Sequence, residues 1–229
     1  MVSFIDIAKG SDHLVKFLHV ATNTRVEFPA FINEYSDTYA VNWGTENIFG
    51  RMDPIKPYQG TSRSIALGFD IVAPSLSQAK KNMFNYSKLV QMLYPVYSTP
   101  LNGGMEGSGR VILAPPLMRV QFLNLIKNNS PTNQEQGLLG CISGFSFSPN
   151  AEAGYYTQEN ELLPKVFSLS FVFDPQHEES LGFQGNTFIT PNFPYGRSES
   201  ADPSSNSIGS TNADVTQANL NSTLNSGDS

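Results

Sequence analysis

The sequence predicts a mainly β fold, an antiparallel sandwich or barrel with one flanking α-helix at about residues 75–94. Three observations carry this reading. Ile65, Leu67, Phe69 and Ile71 alternate with smaller or polar residues, and Phe167, Leu169, Phe171 and Phe173 alternate with Val166, Ser168, Ser170 and Val172. A period of two marks strands with one buried face. Turn chemistry then recurs between such runs, at Asp53-Pro54, Asn102-Gly103-Gly104, Pro115-Pro116, Asn128-Asn129-Ser130-Pro131 and Ser148-Pro149-Asn150.

Taken along the chain, less regular apolar runs mark strands at Arg25 to Asn33 and Thr38 to Trp43. A turn-rich stretch, Gly50-Arg51-Met52-Asp53-Pro54-Ile55 with Tyr58-Gln59-Gly60, leads into the strand Arg63 to Val72. The helix follows directly. Ser75 with Gln78 three residues later fits a capping box, Ala79, Met83, Tyr86, Val90 and Leu93 recur every three or four residues, and Pro95 prevents continuation. Further strands are expected at Arg110 to Leu113, Leu117 to Ile126, Leu139 to Phe147 and Lys165 to Asp174, about seven in all. The organisation reads as an N-terminal arm over 1–24, one β domain over 25–195 and a polar tail over 196–229. The tail keeps only Ile208, Val215, Leu220 and Leu224 as apolar groups of any size, too few to offset its ordering entropy. It is expected to be disordered alone or ordered by a partner.

Composition narrows the function classes. With 229 residues, 39 % hydrophobic and 15 % charged, the chain holds enough apolar side chains for one core of ordinary size. Net charge is −6, and no segment concentrates Lys and Arg into the phosphate-neutralising patch that tight DNA binding needs. Cys141 is the only cysteine, so no intrachain disulfide forms and a buried, reduced thiol on a strand is expected. The first residues lack a secretory pattern and no apolar run approaches the ~20 residues of a membrane helix, so an intracellular product without membrane insertion is expected.

The search for chemistry returns little. No Gly-x-Ser-x-Gly elbow, Walker-type loop, His-Glu-x-x-His or Cys-x-x-Cys occurs. The glycine-rich run Gly103 to Gly109 precedes a strand, whereas a phosphate cradle must lead into a helix N-terminus, so it reads as a flexible hairpin loop. His13, His19 and His177 lack metal-ligand spacing and are expected at the surface. No catalytic residue, cofactor or metal site is predicted. A non-enzymatic sandwich presenting the Gly103 loop and the Glu152 to Glu161 loop to carbohydrate or protein remains an alternative.

Three motifs resemble a known family. Ile48-Phe49-Gly50-Arg51-Met52-Asp53-Pro54-Ile55 with Tyr58-Gln59 and Arg63, then Leu113-Ala114-Pro115-Pro116-Leu117-Met118-Arg119-Val120, and finally Gly144 to Asn150 with Pro164-Lys165-Val166 resemble the baseplate tail-tube initiator and tail-tube junction proteins of contractile-tailed bacteriophages. The resemblance covers about residues 25 to 183. It implies a tail-tube-like fold, six copies closing into a homohexameric ring whose strands form a β-barrel around a lumen, and a structural virion role without enzymatic activity. Such a ring would join the baseplate hub to the tail tube and template tube assembly. The implied partners are further copies of the chain, the hub protein, the tail-tube protein or a second tube-like ring, a tape-measure protein in the lumen, and DNA that passes without specific binding. The protein would be made in the host cytoplasm and reside in the virion. Arg51, Asp53, Pro54, Tyr58, Gln59 and Arg119 are the subunit-interface candidates, because they place charged, stiff or aromatic groups at turns and match the family motifs.

Overall fold

Two strands whose alternation is plain in the sequence form the middle of the sheet. In the computed structural model, which describes residues 13–98, 111–128, 137–158, 160–190 and 193–195, Tyr58–Val72 and Val166–Pro175 pair antiparallel with Leu67 opposite Phe171 and Phe69 opposite Leu169. All eight alternating residues, Ile65 to Ile71 and Phe167 to Phe173, are buried on one face. The elements of the unit ending at Glu178 are β1 (Leu14–His19), β2 (Thr24–Pro29), β3 (Phe31–Trp43), β4 (Tyr58–Val72), α1 (Leu76–Met92), β5 (Val96–Tyr97), β6 (Ile112–Ala114), β7 (Met118–Gln121), β8 (Leu138–Pro149), β9 (Tyr155–Gln158), β10 (Glu161–Pro164) and β11 (Val166–Pro175). Seven of these strands make one sheet in the order β2-β1-β7-β8-β11-β4-β3, antiparallel throughout. The fold is mainly β, antiparallel, with a single helix among the described residues.

The sheet closes on itself. β2 and β3 are its two edges, yet only Ala30 separates them in the chain, so at that corner the edges lie within two residues' reach, about 7 Å. Ring contacts agree. Phe28 on β2 meets Phe69 on β4 at 6.4 Å, and Phe17 on β1 meets Phe171 on β11 at 5.3 Å. In a flat sheet, with strands about 4.8 Å apart, β2 and β4 would stand roughly 24 Å from each other. The core is therefore the inside of a strongly curled sheet, filled by inward residues of β1, β2, β4, β7 and β11.

α1 closes one flank. Ser75 caps it, its side chain accepting the Gln78 N–H at 3.2 Å, and the helix stops at Leu93 before Pro95. Gln78 does not reach back as a full capping box would; its amide donates to Asn82 Oδ1 at 2.8 Å. The buried residues are Ala79, Asn82, Leu89 and Met92, with Met83, Tyr86 and Leu93 packed partly against the core. The most buried positions are thus Asn82, Leu89 and Met92, one residue before Met83, Val90 and Leu93 of the expected stripe, while Tyr86 of that stripe stacks on Phe147 at 4.4 Å.

Several local differences have physical causes. β1 precedes the first expected strand; its Val15 and Phe17 are fully buried, and the strand is held between β2 and β7. The expected runs 25–33 and 38–43 become β2 and one 13-residue β3, because the break falls at Pro29-Ala30 and the chain changes sheet edge there. The Glu152 to Glu161 loop contains β9 and ends at the first residue of β10, its partner strand, and it is tied down where the Tyr156 hydroxyl donates to the Ala73 carbonyl at 3.3 Å. Cys141 lies on β8 and is half-buried. The Gly103 loop and the polar tail lie outside the described residues. In the unit from Glu179 onward, β12 (Phe183–Gln184) and β13 (Thr187–Phe188) form a small hairpin with Phe183 and Phe188 rings 4.6 Å apart.

Candidate assembly surface

β3 and β4 continue well past the core. Inward positions are filled up to Ile65 opposite Asp37, and the pairing then runs on from Thr38↔Ser64 to Asn42↔Gly60 and Trp43↔Tyr58. Beyond the strands the ladder persists: Gly44 N–H donates to the Pro57 carbonyl at 2.8 Å, and Glu46 and Ile55 exchange two bonds of 2.9 Å. Residues 38–64 form a two-stranded arm roughly 35 Å long at ~3.3 Å per residue. Its tip is the four-residue turn Ile48 to Arg51, closed by Arg51 N–H donating to the Ile48 carbonyl at 3.2 Å. Gly50 sits at its third position with φ +85°, a left-handed conformation that a side chain opposes.

A lone two-stranded ribbon is marginal in water, so its base must be fixed. Arg63 does this. Its Nε and Nη2 donate to the two Asp37 carboxylate oxygens at 2.9 and 2.7 Å, the Tyr39 hydroxyl donates to Asp37 at 3.0 Å, and the guanidinium lies 5.4 Å from the Tyr39 ring centre. Both charged side chains are almost fully buried, 2 % and 3 % exposed. Burial alone would lower the Arg63 pKa, but the Asp37 hydrogen bond, with the Tyr39 and Asp37 charges, raises it above its ordinary value. His177 faces the same pair; burial first, and then the Arg63 charge, push its pKa down against the opposing pull of Asp37.

Past that base neither face of the arm is covered. Tyr39, Val41, Trp43, Ile48, Ile55 and Tyr58 are exposed, and Phe49 and Met52 at the tip are 106 % and 99 % exposed. Trp43 and Tyr58 meet edge to face at 5.4 Å, and the Tyr58 hydroxyl lies 2.7 Å from Thr61 Oγ1. Large exposed apolar groups on a thin ribbon mark a surface that another molecule covers. Arg51, Asp53 and Pro54 lie at the tip of this arm, and Tyr58 and Gln59 on its returning strand, so five of the six residues singled out by sequence fall on one element. Among the described residues, neither Arg51 nor Asp53 has a side-chain hydrogen-bond or ion-pair partner. Arg119 is elsewhere. On β7 it donates from Nη1 and Nη2 to the Glu178 carboxylate at 2.8 and 2.6 Å, lowering the Glu178 pKa. Trp43, Phe49 and Met52 belong with the five; the signal for Phe49 and Met52 in the sequence was large apolar groups inside a turn, and Trp43 ends the strand that leads to it.

A second surface is the outer face of β8, β11, β4 and β3. Its cross-strand rows are Ser148-Ser168-Asp70-Phe31, Ser146-Ser170-Gly68-Glu34 and Gly144-Val172-Ala66-Ser36. Apart from Phe31 and Val172, the rows are small or polar. Ser168 donates to Asp70, Asn33 Nδ2 donates to Asp70 at 3.0 Å, and Ser64 donates to Asp174 at 2.8 Å. The face carries Glu34, Asp70 and Asp174, with no Lys or Arg in those rows. Among the described residues no group of three His, Cys, Asp or Glu could hold a metal, and no helix is long and apolar enough to cross a membrane. His19 is buried rather than at the surface, because it takes the third inward position of β1 after Val15 and Phe17; its Nδ1 pairs with Thr22 Oγ1 at 2.7 Å.

No protein-family model matches the sequence, and no curated protein matches it. Among solved structures, the chain is similar to the SPP1 Dit protein (gp 19.1), described as a paradigm of the hub adsorption apparatus in phages infecting Gram-positive hosts, with 8 % identity and a TM-score of 0.36 over 71 % of this chain and 49 % of that one. The chain thus spans about half the length of that protein. It is also similar to a chain in the C6-symmetric tail of an empty GTA particle, with 10 % identity and a TM-score of 0.29 over 76 % and 97 % of the two chains. A third similar chain lies in the six-fold symmetrised baseplate of the anti-feeding prophage, with 12 % identity and a TM-score of 0.29 over 70 % and 87 %.

Proposed function

We propose that this chain is a structural protein of a phage baseplate, six copies of which close into a ring that joins the central hub to the tail tube and templates tube assembly. The single observation that carries the proposal is the arm of residues 38–64, a ribbon exposed on both faces and tipped by Phe49 and Met52, which has a physical rationale only when a neighbour covers it. The motif Ile48 to Ile55, which resembles the tube-initiator family, is the tip of that arm. Assembly then works by templating. Each arm lies on an adjacent copy or on the first tube subunit, Pro54 and Pro57 limit the entropy lost on docking, and Arg51 and Asp53 form charge-assisted bonds across the joint. The acidic, small-residue face of β8, β11, β4 and β3 is the lumen wall, where carboxylates and hydroxyls repel or ignore phosphate and let DNA pass. The boundary at 195 belongs to the same proposal, with the polar tail left for partners in the particle, whereas the segment before 25 contributes β1 to the sheet.

The test has two parts. The copy number in the assembled baseplate is expected to be six around the axis; any other number overturns the ring. Arg51→Ala with Asp53→Ala is expected to leave thermal unfolding of the free subunit nearly unchanged while blocking recruitment of neighbouring copies or tail-tube protein. A variant that unfolds far more easily, yet assembles normally once folded, would show that the tip holds the domain together instead.

A further inference from the structure

The pairing register sorts the side chains of the arm by face. Past the inward pair Asp37↔Ile65, the same face carries Tyr39, Val41 and Trp43 on β3 opposite Arg63, Thr61 and Tyr58 on β4, the skip at Gln59 keeping Tyr58 on the side of Trp43. The other face carries Thr38, Ala40 and Asn42 opposite Ser64, Ser62 and Gly60, none larger than asparagine. All the large apolar groups of this stretch therefore lie on the face that, nearer the body, is packed into the core. Its exposed part begins beyond the buried Arg63–Asp37 ion pair, so what it offers a neighbour is apolar and uncharged.

A second surface of the same character follows α1. β5 and β6 pair through Val96↔Ala114 and Tyr97↔Ile112, and the Ser98 N–H donates to the Val111 carbonyl at 2.9 Å. Val111, Ile112 and Leu113 are 67 %, 60 % and 66 % exposed, so both faces of this short ribbon are open to water. Tyr97, across from Ile112, and Tyr94, just past α1, are exposed as well. Residues 94–98 and 111–117 include no charged side chain, and Pro95, Pro115 and Pro116 stiffen the ends of the ribbon. Elsewhere in the unit ending at Glu178 and outside the arm, exposed large apolar groups stand singly or in pairs along the chain, as Phe84, Leu162 and Phe31-Ile32 do.

Resting on the assembly reading above, we infer that the apolar face of one copy's arm, from Tyr39 to Trp43 with Tyr58, packs on the β5–β6 ribbon of a second copy. Both surfaces are open within a single chain, so neither covers the other there, and neither holds an unpaired charge that the joint would have to desolvate. The contact is head to tail. Every copy gives an arm on one side and a ribbon on the other, the arrangement that closes into a ring when the rotation allows. Covering the free halves of these side chains removes roughly 900 Å² from water, below the ~1,200 Å² at which stable pairs begin. Free copies should therefore associate with a Kd on the order of 0.1 mM, and hold firmly only where a closed ring engages each of them at both sides.

The test is sedimentation equilibrium of the full chain up to about 1 mM, with two variants at exposed positions, Val41→Asp on the arm and Ile112→Asp on the ribbon. The parent is expected to self-associate, and each variant alone to be weakened at least about tenfold with Tm unchanged, because a charge would be buried without a partner. An equimolar mixture of the two is expected to form heterodimers at the parent's affinity and nothing larger, since Val41→Asp keeps a sound ribbon and Ile112→Asp a sound arm. Where a variant lowers the Tm, Thr61→Asp, across the ladder from Val41, or Tyr97→Asp, across from Ile112, replaces it. A parent that stays monomeric at the highest concentration overturns the inference, as does a mixture that forms no heterodimer. So does a variant that pairs with itself at the parent's strength: arm against arm if Ile112→Asp does so, ribbon against ribbon if Val41→Asp does, a third surface if both do. None of these outcomes touches the assembly reading, which fails instead on a copy number other than six in the assembled particle.

Discussion

Truncating the arm tip separates assembly from folding more sharply than any other change. Phe49→Ala with Met52→Ala removes two side chains that are 106 % and 99 % exposed, so neither buries area in the free subunit. The double variant should therefore unfold within about 0.5 kcal/mol of the parent, the range of surface substitutions that touch no special feature. The docked state is different. Losing about 150 Å² of apolar contact on Phe49 alone corresponds to roughly 4 kcal/mol at 25 cal/mol per Å². After the ordering costs of association, a central aromatic contact is typically worth about 2–4 kcal/mol. That is a loss of roughly 30- to 1,000-fold in affinity per docked arm. The subunit is followed by chemical denaturation, and its incorporation by sedimentation and negative-stain imaging of baseplates reconstituted with hub and tube proteins. Normal incorporation with both side chains gone would refute the role of the arm. A large loss of subunit stability would refute its independence from the core.

Four further outcomes follow from the geometry. Phe171→Ala, at a buried position in edge contact with Phe17 and Phe69, should cost about 3–5 kcal/mol in a denaturation series, whereas Ser170→Ala on the outer face should stay within about 0.5; equal effects would contradict the face assignment. Asp37→Ala strands the buried Arg63 charge and should cost about 3–5 kcal/mol, much of it recovered by adding Arg63→Met, as a double-mutant cycle would measure. Gly140→Ala should destabilise by about 1–3 kcal/mol or more, because its Cβ would run into the Asp174 carbonyl oxygen and the Phe173 ring, a shift visible in Tm. Acidification should weaken the fold from about pH 6.5 downward. His19 and His177 have pKa values depressed below 6.5 by burial, so the unfolded chain binds more protons; their stabilisation is complete above 6.5 and lost as pH falls through the depressed values. His177→Gln should flatten that part of a stability-versus-pH curve.

Much of this was legible in the residues. The buried faces of β4 and β11 follow from strict alternation, and the start of α1 follows from Ser75, whose hydroxyl has the N-cap geometry its position suggests. A turn was legible in the run Gly50 to Ile55, but its hydrogen-bonded part falls earlier than Asp53-Pro54, at Ile48 to Arg51, where Gly50 takes a φ of +85°. β1 was less legible. Its six residues, Leu14 to His19, contain one alternating triplet, and the inward position of a histidine weakens the apolar signal. Helix rotation was not legible either: Tyr86 stacking on Phe147 is a contact between positions 61 residues apart, and periodicity alone leaves the stripe uncertain by one residue. Arg119 looked like the other candidates because charge at a turn is the same local signal whether its partner is Glu178 or another molecule.

The sequence by itself determined much of the local alphabet of this protein: that the regularly alternating runs are strands, which of their residues seek a core, where the described helix starts, and which turn carries unusual side chains. These are short-range consequences of periodicity, capping and turn sterics. Only the tertiary structure decided that the sheet curls until its edges meet across Ala30, and that β3 and β4 outrun the core by six and seven residues. The reason is physical. Whether an apolar side chain on a strand is buried depends on what the rest of the chain brings above it, so Ile65 and Val41, alike in pattern, part company where the opposing layer ends.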